Sequence, residues 1–156
     1  VLVDLQGLKE HVPAGARLVG LDLGEKTIGI AMSDTLLTVA TPLETRKRGK
    51  FGADAAALID LMTRHGAGGL VVGLPLNMDG SEGPSSQSAR AFARNFSAKS
   101  DVPVLMWDER LSTAAVTRTL IEADASRKRR AEVVDKMAAS FILQGVLDAL
   151  RHAARS

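Results

Sequence analysis

Carboxylates stand at three places where a carboxylate is costly. Asp22 interrupts GLDLGEKTIGIAMSD (20–34), a run that otherwise reads as a buried strand. Asp108 and Glu109 close an apolar stretch in WDERLST (107–113), and Asp135 sits in VVDKMAA (133–139). An ionised carboxylate in such surroundings is unfavourable unless something compensates it. For Asp22 two compensations compete: hydrogen bonds from the backbone of the Gly24 turn, or a divalent cation. For Asp135 the positive end of a helix would suffice. Taken together, three carboxylates on three elements form a plausible hard-cation site. Magnesium prefers oxygen ligands and is commonly held by a few carboxylates plus substrate phosphate. Two such ions about 4 Å apart stabilise both the attacking and the leaving oxygen in phosphodiester cleavage.

Several residues drop out of this set. Neighbouring strand residues point to opposite faces, so only one of Asp108 and Glu109 faces a shared site; spacing does not say which. Asp148 lies thirteen residues beyond Asp135, about 20 Å along a continuous helix and about 140° around it. Asp34, at a strand end, reads as a turn residue. His11, His65 and His152 are isolated and suggest no zinc. The absence of cysteine removes disulfides, thiolate metal sites and a cysteine nucleophile.

The elements that must position the carboxylates follow from periodicity. Residues 17–23, 27–32 and about 36–45 read as strands, with Gly24-Glu25-Lys26 as a tight connection between the first two. Alternation puts Leu18, Gly20 and Asp22 on one face and Val19, Leu21 and Leu23 on the other. Gly20 beside Asp22 leaves room for a ligand or for another backbone. Residues 53–65 read as a helix ended by Gly66, and 70–74 as a buried parallel strand. The loop PLNMDGSEGPSS follows. Helices are expected over 86–99, 114–123 and 132–150, with a strand over 103–107. Ala138 and Ala139 would let the last helix lie close on the sheet, its first turn near Asp22. The sum is an α/β fold: a mixed five-stranded sheet, three antiparallel strands then parallel ones, flanked by helices. In such sheets chemistry collects at strand ends and the loops leaving them.

The 156 residues fit one domain, with 46% apolar and 24% charged residues, an ordinary balance for a soluble protein. The expected division is an N-terminal extension (1–16), a single domain (17–150) and a tail (151–156). No apolar run is long enough to span a membrane. Composition therefore suits a cytoplasmic protein. The net charge is only +2, but eight of twenty basic residues fall in two clusters: Arg46, Lys47, Arg48 and Lys50, and Arg127, Lys128, Arg129 and Arg130. Such clusters suit phosphate, with solvated loops as the plain alternative. Lys136 reads as a phosphate contact or a solvated helix residue, and Arg110 as a phosphate ligand or a support for Glu109. The loop from Asn77 to Ser86 reads as a backbone clamp or a simple connection. Aromatics are scarce, and only Phe51 and Trp107 are candidates for base stacking against core roles.

Four motifs in order, GLDLGEKTIGIAMSD, VVGLPLNMDGSEGPSS, WDERLSTAAV and VVDKMAASFILQGVLD, resemble the YqgF-type family over residues 17–150. These are RNase H-like proteins described as Holliday-junction resolvases or as pre-16S ribosomal RNA nucleases. The resemblance implies an RNase H-like fold, with Asp22, Glu109 and Asp135 as catalytic, metal-holding carboxylates. It also implies Mg2+ or Mn2+ as the cofactor. The choice of Glu109 over Asp108 comes from this match, and the N-terminal extension is the main departure from the family pattern.

The resulting expectation is a metal-dependent phosphodiester hydrolase maturing the 5′ end of pre-16S ribosomal RNA in the cytoplasm. Its partner would be nucleic acid, RNA before DNA, with pre-ribosomal particles as a further partner and no membrane. It would act as a monomer or homodimer. A Holliday-junction resolvase is the alternative for the same site, and two symmetric nicks would require a dimer. A nucleic-acid-binding module without catalysis is the alternative of another class. DLGEKTIGIAMSD also resembles the phosphate hairpin of actin-like ATPases. Those usually need two such domains, and the chain has no GxxxxGK[ST] loop.

Overall fold

A computed structural model describes residues 1–111 and 127–154, except for the side chains of 127–135 and 154. The elements run β1 (Leu2–Val3), α1 (Leu5–His11), β2 (Arg17–Leu23), β3 (Thr27–Ser33), β4 (Ala40–Lys47), α2 (Phe51–His65), β5 (Ala67–Leu74), α3 (Pro84–Lys99), β6 (Val104–Asp108), a short 3-10 turn (Glu109–Leu111) and α4 (Arg127–Ala154). The strands form one mixed sheet in the order β1-β6-β5-β2-β3-β4. β2, β3 and β4 pair antiparallel, while β5 joins β2, β6 joins β5 and β1 joins β6 in parallel.

The sheet has six strands rather than the five expected. The sixth, β1, has two residues, Leu2 and Val3, in register with Val104 and Leu105. Two residues are too few for an alternating pattern, so periodicity gives no sign of it. Residues 1–16, expected as an extension before the first strand, contribute β1 and α1. Asp4 caps α1 by accepting the Gly7 N–H at 2.8 Å, and Leu8 is fully buried.

β4 begins at Ala40, not near residue 36, because Asp34 folds the intervening residues into a turn. Its carboxylate accepts the Thr38 and Val39 N–H groups at 2.7 and 3.0 Å and the Thr38 hydroxyl at 2.6 Å. Leu37 takes a positive φ of 56° within that turn. α4 extends beyond the expected 132–150 at both ends. The 127–130 cluster consequently opens the helix instead of preceding it, and Asp135 lies two turns in rather than near its start. The helix expected over 114–123 lies outside the described residues.

Alternation along β2 divides the core as its sequence requires. Val19 and Leu21 pack with α2 and α3 on one face, whereas Leu18 packs with α1 and α4 on the other. Phe51, Phe92 and Phe96 belong to the first cluster: Phe51 meets Phe92 edge-on at 5.3 Å, and Phe92 stacks on Phe96 at 6.3 Å. Trp107 is half-buried against the second cluster. None of the helices among the described residues is long and apolar enough to cross a membrane.

Candidate active site

β2, β5 and β6 run parallel, so their C-terminal ends lie together, and β4 returns to the same end. Asp22 stands on β2 with glycines on either side. Gly29 is its partner on β3, and Gly73 of β5 falls beside it one step past the Leu21–Val72 pair. Asp22 is only 7% exposed. The Gly24 N–H closes the hairpin by donating to the Thr27 carbonyl at 2.8 Å.

β6 ends at Asp108, and the chain tightens at once into the 3-10 turn. Glu109 is likewise 7% exposed. A Cβ on Gly73 would lie 3.3 Å from Glu109 Oε1, 3.4 Å from its Cγ and 2.5 Å from Ile142 Cδ1. Glu109 therefore reaches across β5 on the face that Ile142 of α4 covers, the face that also holds Asp22. A glycine at position 73 is what permits this close approach. Sequence reasoning took VVGL only as a buried strand; the glycine inside it was the available signal.

Asp108 turns elsewhere. Arg110 donates to it through Nε to both oxygens at 3.1 Å, through Nη2 at 2.8 Å and through its backbone N–H at 2.9 Å. The Arg110 guanidinium, foremost by its hydrogen bonds, holds the Asp108 carboxyl below its ordinary pKa, and Asp108 raises that of Arg110 in return. Arg110 Nη1 also donates to the Met78 carbonyl at 3.4 Å, tying the turn to the loop after β5.

Gly20 has the second of its two anticipated uses. A Cβ there would come within 2.8 Å of Leu143 Cβ and 3.1 Å of the Ala139 carbonyl oxygen, so another backbone, not a ligand, fills the space. α4 runs antiparallel to β2, since Ala139 and Leu143 lie at Gly20 while Leu150 lies by Leu18. Residue 135, one turn before Ala139, is displaced about 6 Å along the helix. Asp22, two residues past Gly20, is displaced by a similar distance along the strand, about 6.6 Å. The backbone thus brings position 135 level with Asp22. The Asp135 side chain lies outside the described residues, as do those of Arg127, Lys128, Arg129 and Arg130. No cluster of three His, Cys, Asp or Glu residues occurs among the described residues.

The 46–50 cluster lies at the same end of the sheet, because Lys47 pairs with Thr27 at the hairpin. Its members differ in surroundings. Arg46 pairs with the buried Asp54 at 3.3 Å, and Asp54 also accepts the Gly49 N–H at 3.0 Å. Arg48 donates to the Gly24 carbonyl at 2.8 Å and to Ser88 Oγ at 2.9 Å. Lys47 and Lys50 are exposed, and Lys136 is half-buried on α4. The Asn77 side-chain amide donates to Ser81 Oγ at 2.9 Å, within the loop it belongs to.

Residues 16–149 match the family described as "RuvX: Holliday junction resolvase". The chain belongs to this family. A relative from Roseobacter denitrificans, named "Putative pre-16S rRNA nuclease", is 60% identical over 153 residues, covering 97% of this chain and 94% of that protein. Another of the same name, from Paramagnetospirillum magneticum, is 63% identical over 132 residues, covering 85% of each. Among solved structures, T. thermophilus RuvC in complex with Holliday junction substrate superposes with a TM-score of 0.55 at 14% identity, covering 90% of this chain and 97% of that one. That likeness establishes the RNase H-like fold.

Proposed function

We propose that this RuvX-family chain is a metal-dependent nuclease acting in 5′-end maturation of pre-16S ribosomal RNA. The observation that carries the reading is the pair of buried carboxylates, Asp22 and Glu109, on one face of the sheet around Gly73. Two acidic groups kept this close to the apolar core fit a hard cation, and their donor set is all oxygen. Asp22, Glu109 and Asp135 would hold Mg2+ or Mn2+. Bound there, the ion supplies Lewis acidity at the phosphate and makes water a better nucleophile. The chain's own part is to fix the carboxylates and exclude bulk water. Asp108 and Arg110 fix the turn that aims Glu109, and α4 closes the face beneath. Lys47 and Lys50 attract the strand, together with Lys136 and the 127–130 cluster. The substrate is then pre-ribosomal RNA in the cytoplasm, met within pre-ribosomal particles.

The test is cleavage of a labelled RNA spanning the 5′ end of 16S RNA and its leader, with Mg2+ or Mn2+, by the intact protein and by Asp22→Asn. Metal-dependent cleavage lost in the variant supports the reading; full activity in Asp22→Asn sinks the assigned site. Binding of this RNA without cleavage under either metal would point instead to a non-catalytic module. The family description favours one second reading, resolution of Holliday junctions. Two paired nicks in a synthetic four-way DNA junction, from a protein whose solution mass is that of a dimer, would favour it.

A further inference from the structure

A groove of about 290 Å³ opens between the end of α1 with the loop after it, the turn at 36–38 and the end of α4. Leu8, Leu18, Leu37 and Leu150 supply its apolar lining. Leu18 stands four residues before Asp22 on β2, about 13 Å along the strand. The groove and the carboxylates therefore lie at opposite ends of the sheet.

Fixed backbone holds the groove open. Asp34 braces the turn through the Thr38 and Val39 amides. Gln144 of α4 accepts the Ala40 N–H at 2.8 Å and donates to the Thr38 carbonyl at 3.0 Å, which locks the turn to the helix. Leu37 takes its positive φ there and packs inward, while Leu36 is left 80% exposed on the rim. A bulky residue at positive φ is strained, and such strain persists only where the surroundings enforce it.

The charges that line the groove are both positive, Lys9 of α1 and Arg151 of α4, and no acidic side chain lines it among the described residues. Lys9 is exposed and has no ion-pair partner among the described residues. Arg151 pairs with Asp148 on its own helix at 2.7 Å. An exposed pair of this kind is worth little and yields readily to a new carboxylate. Each cation also suits the last turn of its helix, but that role needs no apolar groove between them.

We propose that this groove docks an acidic segment of a partner protein, which seats a large apolar side chain among the leucines and sets flanking Asp or Glu against Lys9 and Arg151. The cavity is at the lower bound of small-molecule sites, roughly 300 Å³, and Leu36 carries the apolar contact out over the rim. A nucleic-acid strand fits less well, because the lining offers no aromatic face on which a base would stack. A second copy using the same face would bring the same two cations from both sides, with no acid in the groove to answer them. Docking here leaves the strand ends around Asp22 uncovered and does not rest on the nuclease reading.

The experiment selects a displayed library of short random peptides on the full chain. Enriched sequences should carry one or two large apolar residues flanked by Asp or Glu. A synthetic peptide of that consensus should bind less tightly as salt rises. Leu36→Asp and Lys9→Glu, both at exposed positions, should each weaken it at least about tenfold, as loss of an interface anchor does. Exchanging an acidic residue of the peptide for Lys should restore binding to Lys9→Glu, which a merely structural role would not produce. Thermal melts and RNA cleavage by both variants should match the unsubstituted protein, so failure of the docking and failure of the nuclease reading are told apart. The proposal is overturned if no sequence is enriched, if the enriched sequences lack acids, or if Leu36→Asp binds unchanged. It is equally overturned if RNA displaces the peptide, which gives the groove to nucleic acid, or if a dimer is lost in Leu36→Asp, which gives it to a second copy.

Discussion

Asp108 and Glu109 are neighbours with opposite circumstances. Glu109 is buried over Gly73, whereas Asp108 is spent on Arg110. Substitution should therefore separate them. Even outer-shell partners of a metal ligand are worth about 10–100-fold in activity, so Glu109→Gln should lose about 100-fold or more. Asp108→Asn, which only loosens the turn, should lose about tenfold. Single-turnover cleavage rates test this, and the reverse order would exchange the two assignments. Spacing left the choice open because alternation predicts opposition, not which residue faces inward. The departure of the chain from β6 after Asp108 decides it, and a strand's last residue is among the least legible features of a sequence. Asp34 gives a test by pH. The Thr38 hydroxyl, followed by the Val39 and Thr38 amides, lowers its pKa to about 2. A depressed carboxyl stabilises the fold above its unfolded pKa, and that contribution fades as pH falls toward the folded value. The melting-temperature gap between the intact protein and Asp34→Asn should thus be full near neutral pH and shrink between about pH 4 and 2. A gap that persists unchanged at pH 2 would mean the carboxylate charge is not what the turn uses.

The association of β2 with α4 is what carries Asp22 and position 135 to the same level. Its closest approach is at Gly20, where an added Cβ would meet Leu143 Cβ and the Ala139 carbonyl. Neither is the end of a flexible side chain, so the strain has no easy outlet. Gly20→Ala should destabilise the protein by about 1–3 kcal/mol, the usual cost of overpacking a filled core. Activity should fall further than the folded fraction does. Thermal melts beside rates measured well below the melting temperature test this; unchanged stability would show that the helix is not seated as described. Much of this element was legible. The alternation of β2 gave both faces, and Ala138 with Ala139 pointed to close packing. The true use of Gly20 was not, because room for a ligand and room for a backbone have the same signature in sequence. The β1 strand was hidden for another reason: its two residues gain their conformation from Val104 and Leu105, a hundred positions away.

Across the whole molecule, charge is placed at the strand ends near the candidate site, but equal charges do unequal work. Composition gave four basic residues between 46 and 50 the same standing. The fold divides them: Arg46 answers the buried Asp54, Arg48 spans from the Gly24 carbonyl to Ser88, and Lys47 and Lys50 face solvent. Only charge that can neutralise phosphate releases counterions. Each of Lys47→Ala and Lys50→Ala should therefore flatten the dependence of log affinity on log salt by about 0.7 for single-stranded RNA. Arg46→Ala should act through stability instead, since it strips a guanidinium from a carboxylate that stays buried, an arrangement costlier than losing an exposed pair. Binding to labelled RNA over a salt series, with a thermal melt of each variant, distinguishes the two effects. Equal slopes for the lysine variants and the intact protein would remove this end of β4 from the path of the strand.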